Sequence, residues 1–486
     1  MTPEELLDKL NDIQSNKCES NVLEIKAAEY GCPKRLFDTL SSFSNQDDGG
    51  VIVFGVDETN NYRECGVYDP LDIQKRISEQ CLQMEPVVRP LLTVVEKAGK
   101  YFVSAEIPGI DVSDRPCFYS GKGRIKGSYI RVGDSDEPMT EYEIYSYEAF
   151  RKKYQDEIRT VPRASLSVLD PALLDKYIQQ LKTDKPNLSS IDDKTIYELM
   201  SITRNGEVTL SSLLLFCRYP QAFFPQLSII AVQVAGVSVD DIDDSDERFI
   251  DNKRIDGNIP EMLDQAIVFV KKHMSLKTII DPETGLRVDR TEYPLLAIRE
   301  AILNTLVHRD YSIHTENQPI QITMYYDRIE IHNPGGLYGR ISIDQLGKIQ
   351  PGTRNPVLAT ALETMHITEN RYSGIPAIRR SMEKSGLGKP VFSDNRGAFT
   401  VILNNNNSAY GESTSETVTE KQLLQFLNEP RSRQEIAHFL GLSTTAYAMK
   451  TFIQPLIDKG RVRMTEPDNP RSHSQKFVRV KTIIAN

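Results

Sequence analysis

The sequence has no tryptophan and only six cysteines, Cys18, Cys32, Cys65, Cys81, Cys117 and Cys217, all in its first half. None are spaced C-x-x-C and no histidine cluster lies near them, which argues against a zinc site and for reduced, structural thiols. Long apolar runs are also missing. The best, Leu227 to Val239, is interrupted by Ser228 and Gln233 and falls short of the roughly 20 residues of a membrane span, which excludes a membrane protein. The opening residues, Met1-Thr2-Pro3-Glu4-Glu5, show neither the basic nor the apolar region of a secretory signal, so a cytoplasmic location is expected. Nor is there a G-x-x-x-x-G-K-[ST] motif: Gly388-Lys389 runs into Pro390, and Glu383 stands where the first glycine would be. A P-loop motor is therefore unsupported.

What is present is ordinary soluble globular material, 39% hydrophobic and 26% charged over 486 residues, long enough for about three domains. Lys+Arg 58 against Asp+Glu 68 leaves a net −10, which argues against coating nucleic acid by bulk charge. The imbalance is local. Residues 1–150 are strongly acidic, the middle is nearly neutral, and only residues 411–486 are basic. Asn404 to Ser408 and Gly411 to Ser415 are polar and nearly free of apolar residues, the composition of a linker. A weaker break falls between Thr160 and Pro171, where Pro162 and Asp170-Pro171 interrupt helical patterns. The acid run Asp240 to Glu247 lacks the glycine and terminal glutamate of an EF-hand and reads as a solvated loop.

Near the start, Lys34 to Ser44 has helical periodicity, Asn45 to Gly50 forces a turn, and Val51 to Val56 is a buried strand ending in Asp57-Glu58. If Val22 to Ala27 is a strand, its period of two puts Glu24 and Lys26 on one face. Metal-dependent nucleases need two or three carboxylates for Mg²⁺ or Mn²⁺ and a lysine for charge; a solvated strand face is the plain alternative. Three motifs in order, Glu19-Ser20-Asn21-Val22-Leu23-Glu24-Ile25-Lys26, Phe43-Ser44-Asn45 with Gly49 to Glu58, and Gly127 to Gly133, resemble the Schlafen-type divergent AlbA domain. The resemblance implies nucleic-acid binding. It also places Glu19, Glu24 and Glu58 at the positions of the three carboxylates with which some Schlafen members cut transfer RNA, so these are candidate metal ligands and, with Lys26, candidate catalytic groups. Separately, Arg115 to Arg131 carries Arg115, Lys122, Arg124, Lys126 and Arg131 with no acid after Arg115, interleaved with Phe118, Tyr119 and Tyr129. Cations for phosphate and aromatic faces for stacking suit single-stranded or looped nucleic acid; a glycine-punctuated hairpin with a solvated basic face is the alternative.

In the middle, Glu300, Asn304 and His308 fall at i, i+4 and i+8 of an otherwise apolar helix, on one face. A carboxylate that polarises water beside an amide that holds Mg²⁺ suits phosphoanhydride hydrolysis. Gln321–Met324 and Arg328–His332 read as a hairpin ending in Asn333-Pro334-Gly335-Gly336; Arg354-Asn355-Pro356 follows, then Ser373-Gly374 opening a helix, then the strand Gly397 to Leu403. Residues 292–403 together resemble the GHKL-type ATPase domain in the divergent form that follows an AlbA domain in RecG-like bacterial proteins. The resemblance implies ATP and Mg²⁺ as cofactors, Glu300 as general base, Asn304 as Mg²⁺ ligand, Asn333 to Gly336 as the adenine-side box and Ser373-Gly374 as the phosphate-side box. Asn333 replaces the usual aspartate, and the usual glycine-rich phosphate loop is reduced to Tyr372-Ser373-Gly374.

At the C-terminus, helices over Thr419–Leu427, Ser432–Leu440 and Ser443–Asp458 and strands over Val462–Met464 and Lys476–Val480 resemble the winged helix-turn-helix. Its positive charge sits in the wing, with Arg461, Arg463, Arg471 and Lys476 as candidate phosphate contacts. The expected fold is thus α+β and multidomain: a mixed α/β AlbA-like domain (1–160), an α/β connector (161–290), a GHKL (Bergerat-type) sandwich (291–403), a linker (404–418) and a winged helix-turn-helix (419–486). The expected function is that of an ATP-binding, nucleic-acid-binding regulator, not a helicase, acting as a homodimer or higher homo-oligomer. The alternatives are a metal-dependent RNA endonuclease gated by the ATP-binding domain, and an assembly protein whose ends bind other proteins.

Overall fold

The computed structural model describes residues 1–234, 236–239, 249–280, 287–349, 352–368, 373–395, 397–405, 423–424, 426–439, 449–458, 461–466 and 475–480. They form two compact units, Met1–Gln155 with Leu337–Ser342, and Asp156–Gly336 with Ile343–Asn486.

In the first unit, α1 (Pro3–Asn16) begins with a Thr2/Glu5 capping box and buries Leu6, Leu10 and Ile13 along one stripe. A four-stranded sheet runs in the order Leu23–Lys26, Gly50–Phe54, Lys100–Ile107, Leu91–Lys97, with the first pair parallel and the others antiparallel. α2 (Phe37–Ser44) and α3 (Pro70–Cys81) supply Leu40, Phe43, Ile73 and Ile77 to a core shared with Ile52, Phe54, Val103 and Ala105. The turn between α2 and the next strand needs its two glycines. A Cβ on Gly49, which sits at φ +63°, would lie 2.2 Å from the Ile107 carbonyl oxygen, and one on Gly50 would lie 2.5 Å from the Phe43 ring. The segment after Phe118–Tyr119 is not a simple hairpin, because a helical turn, α4 (Gly123–Gly127), precedes the strand Tyr129–Val132. α5 (Glu141–Lys152) opens on a Thr140/Glu143 capping box. Phe150 on α5 meets Tyr338 edge-on at 5.4 Å, and Arg340 pairs with Asp111 at 3.0 Å, seating the Leu337–Ser342 segment in this unit.

The second unit starts with α6 (Pro171–Asp184), α7 (Asp193–Leu199) and α8 (Leu210–Phe216), followed by α9 (Ile259–His273), α10 (Leu295–His308), α11 (Pro356–Thr364) and α12 (Gly374–Lys384). Its six-stranded sheet has the order Phe249–Ile255, Ile229–Val234, Ile320–Met324, Arg328–Pro334, Ala398–Asn404, Val391–Asn395. This corrects the boundary expected at 290/291. Ile229–Val234, assigned to the connector, pairs in parallel with Ile320–Met324, so both segments build one sheet. A parallel pair needs a long crossover, here carrying α9 and α10, and local sequence pattern does not announce it. The linker also begins later than expected: Asn404 completes a strand, and Asn405 is buried, donating to the Tyr326 carbonyl at 2.9 Å. Residues 406–418 and the acid run Asp240–Glu247 lie outside the described residues.

Farther on, Arg431–Ser432, Lys476–Arg479 and Val462–Met464 form a three-stranded antiparallel sheet, in that order. With a helix over Arg433–Phe439 it encloses Leu424, Leu427, Ile436, Ile453, Leu456 and Phe477. Of the expected third helix, the described part is π-helical over Met449–Ile453 and α-helical over Gln454–Asp458. The architecture is α+β and multidomain, as the sequence patterns indicated. All six cysteines are free thiols, and no helix among the described residues is long and apolar enough to cross a membrane.

Candidate nucleotide and nucleic-acid sites

α10 buries Ile298, Ala301, Ile302, Thr305 and Leu306, leaving Glu300, Asn304 and His308 on the face that lines a cavity of about 1070 Å³. Ser373 and Gly374, at the start of α12, line the same cavity, as do Thr360 and Glu363 of α11. Two sequence segments about seventy residues apart thus meet. They meet closely: a Cβ on Gly374 would lie 2.7 Å from Asn304 Nδ2, so a glycine is what lets α12 approach this amide. Asn304 Nδ2 is buried without a hydrogen-bond partner, and such a group favours a polar ligand. Glu300 is held by Arg299 at 3.0 Å. His308 lines the cavity, and desolvation by the protein around it, with the Arg354 guanidinium, lowers its pKa below the ordinary imidazole value, so it is a neutral imidazole at pH 7. The donor set of carboxylate, amide and hydroxyl oxygens suits Mg²⁺.

Asn333, Gly335 and Gly336 are not among the residues lining this cavity. Asn333 is buried with its Oδ1 unpartnered. A Cβ on Gly335 would meet Arg354 Nη1 at 2.5 Å and Asp310 Cβ at 2.6 Å, and one on Gly336 would meet Asp394 Oδ1 at 2.6 Å. The two glycines therefore allow side chains of this fold to approach the backbone. Arg354-Asn355-Pro356 has no role that its sequence pattern alone reveals. In the structure Asn355 is buried and donates to the carbonyls of Val307 and Arg309, at the end of α10.

In the first unit, Glu24 and Lys26 contact each other on the strand Leu23–Lys26, and Glu24 also pairs with Arg131 at 2.8 Å. Glu19 accepts from the Ile25 N–H at 2.7 Å. Burial, together with the nearby charges of Glu24 and Glu58, pushes Glu19 up to about 7. The three carboxylates therefore share one region. However, among the described residues no three His, Cys, Asp or Glu are grouped so as to hold a metal ion, and Glu24 is already engaged by two cations.

The basic stretch divides into two sets. Arg115 is buried against Asp47 at 2.7 Å, and Arg131, its side chain 1% exposed, bridges Glu24 and Asp136 while donating to the carbonyls of Ser20 and Leu23. Tyr129 is buried as well. The expectation that these three face nucleic acid is corrected: acids distant in sequence neutralise the arginines inside the fold. Arg124 is half-buried against Glu148. Lys122 and Lys126 are exposed, although Lys122 reaches the Tyr129 hydroxyl at 3.1 Å. Asn45, within the Phe43-Ser44-Asn45 motif, is buried and bonds both ways to Cys117 and to the Tyr129 carbonyl, fixing this segment on α2. In the C-terminal sheet Arg461, Arg463 and Lys476 are exposed; Arg471 lies outside the described residues.

Comparison with known proteins matches three regions of the chain. Residues 19–140 match the family model "Schlafen, AlbA_2". Residues 317–403 match "Putative ATP-dependent DNA helicase recG C-terminal", and 419–479 match "Filamentation induced by cAMP protein Fic-like, C-terminal domain". The chain therefore carries a Schlafen-type AlbA domain, an ATPase-like domain of the RecG C-terminal type, and a C-terminal domain with a winged-helix-like fold. This is the domain set of a nucleic-acid-related protein with an ATPase-like centre. Among solved structures, the DIP2311 protein of Corynebacterium diphtheriae is 15% identical at TM-score 0.39, covering 98% of this chain and 97% of that one. The N-terminal domain of a RecG-related protein of Nitrosomonas europaea is 29% identical at TM-score 0.23, covering 29% of this chain and 94% of that one. No curated protein matches the chain.

Proposed function

We propose that the protein is a nucleotide-responsive, nucleic-acid-binding regulator of the cytoplasm, and not a helicase. The observation that carries this reading is the single cavity shared by Glu300, Asn304, Ser373 and Gly374. Asn304 and Ser373 offer the oxygen donors that Mg²⁺ takes, and Glu300, paired with Arg299, is the α10 carboxylate lining the cavity that would polarise water. Bound Mg²⁺ would offset the charge of the phosphates. Isothermal titration with Mg-ATP tests this: Asn304→Ala should weaken binding at least tenfold, and equal affinities refute the assignment. Exposed Lys122, Lys126, Arg461, Arg463 and Lys476 support phosphate contact at both ends of the chain. Such binding weakens steeply with salt, whereas salt-independent binding would favour a protein-assembly role. A homodimer is the expected state, and sedimentation equilibrium with and without Mg-ATP tests it.

A second reading, a ribonuclease using Glu19, Glu24 and Glu58, is supported by the match to the Schlafen AlbA_2 model and by the electrostatic influence of Glu24 and Glu58 on Glu19, although the three carboxylates are not grouped so as to hold a metal ion. Metal occupancy would require Glu24 to exchange a cationic partner for the ion. Incubation with transfer RNA and Mn²⁺ decides: cleavage abolished in Glu24→Ala supports this reading, and intact RNA removes it.

A further inference from the structure

Asn355 occupies the N-cap position of α11 but makes no side-chain capping bond to that helix. Its amide instead donates to the Val307 and Arg309 carbonyls at 2.8 and 2.7 Å, closing the C-terminal end of α10, while the side chain is 1% exposed. The N-terminus of α11 is capped from elsewhere: Glu157 accepts from the Val357 and Leu358 N–H groups, each at 2.8 Å. Arg354 reaches in the other direction. Its guanidinium pairs with Asp310 at 3.2 Å and donates to the Gly336 carbonyl at 3.2 Å, and the Asp310 N–H donates to the Pro334 carbonyl at 3.1 Å. The bare Cα of Gly335 makes room for this guanidinium.

Three elements therefore converge on two consecutive side chains: the end of the helix that carries Glu300, Asn304 and His308, the Gly335–Gly336 turn, and the start of α11, the helix whose Ala359, Thr360 and Glu363 also line the cavity. We infer that Arg354 and Asn355 are positioning residues of the nucleotide site, Asn355 by fixing the end of α10 and Arg354 by joining that end to the glycine turn. Neither needs to touch the nucleotide. Lysine is a poor substitute for Arg354, because one ammonium cannot reproduce a planar fork that serves a carboxylate and a carbonyl together. Asn355 is similarly constrained, since alanine leaves two helix-terminal carbonyls without their donor.

This inference rests on the nucleotide reading above, and the experiment separates the two. In full-length protein, Asn355→Ala and Arg354→Lys are each compared with wild type by Mg-ATP titration and by amide hydrogen exchange over residues 305–309. Asn355→Ala should speed exchange at 305–309 at least tenfold and weaken Mg-ATP at least tenfold, with exchange in the strands Ile320–Met324 and Arg328–Pro334 unchanged. Arg354→Lys should weaken Mg-ATP at least fivefold despite keeping its charge. Faster exchange with unchanged affinity in both variants overturns the positioning role and leaves a purely structural one. If wild type binds no Mg-ATP, the nucleotide reading fails; unchanged exchange at 305–309 in Asn355→Ala then overturns the inference as well. If Asn355→Ala loses protection in the strands too, Arg354→Lys decides.

Discussion

Glu157 offers the sharpest quantitative test of this packing. Its side chain is fully buried, and desolvation raises its pKa from 4.5 to about 7 even though two helix N–H groups favour the carboxylate. At about 1.4 kcal/mol per tenfold change in proton affinity, the displacement corresponds to about 3 kcal/mol between protonation states. The raised folded-state value means that the folded protein binds this proton more tightly than the unfolded chain does. The associated stabilisation is fully present below pH 4.5 and is lost as pH rises through about 7. Between pH 5 and 8 the loss approaches a hundredfold in the opening equilibrium, about 2.5 kcal/mol. Amide exchange of α11 is measured at both pH values in wild type and in Glu157→Gln, whose neutral amide cannot titrate. Taking the ratio at each pH cancels the intrinsic exchange rate. The protection ratio of wild type to variant should fall close to a hundredfold from pH 5 to pH 8. A ratio constant within threefold would refute the argument that a desolvated, ionisable carboxyl holds this helix.

Three further outcomes follow from named contacts. Arg131→Met should destabilise the first unit by about 3–5 kcal/mol, read by urea denaturation of the intact chain with a probe in that unit, because Glu24 and Asp136 would lose a buried cation; a change below 1 kcal/mol contradicts the burial. Gly374→Ala leaves the backbone free to fold but places a methyl against the Asn304 amide, so Mg-ATP affinity should fall at least tenfold with an unchanged melting temperature. Lys122→Ala/Lys126→Ala should reduce the logarithmic salt slope of nucleic-acid binding by about 1.5 to 2; an unaltered slope removes this surface from the interface.

An acidic protein can bind a polyanion only where cations stand clear of its own carboxylates. The first unit shows how demanding that condition is. Arg115 to Arg131 read as a basic ribbon, yet Asp47, Glu24, Asp136 and Glu148 take up three of its five cations, and Asp38 lies 3.9 Å from a fourth, Lys122. The cation left outermost is Lys126, on the helical turn Gly123–Gly127, whose long stem carries charge away from the fold; Lys122 is exposed but folds back toward Asp38 and the Tyr129 hydroxyl.

Local chemistry was legible in the amino-acid order. The apolar stripe of α10, the hairpin Ile320–Met324 with Arg328–Pro334, the glycine-paired turn before Gly50–Phe54, and the Glu24–Lys26 contact all depend on residues within a turn or two of one another. Periodicity and propensity act over that range, so one sequence suffices to read them. The remaining features depended on tertiary structure. The parallel pairing that merges Ile229–Val234 with Ile320–Met324, the burial of Arg131 against Glu24, the meeting of Asn304 with Gly374, and the crossing of Asn355 to cap α10 rather than its own helix join residues remote along the chain. Their energies come from desolvation and packing among elements already formed, and those exist only once the chain has folded back on itself.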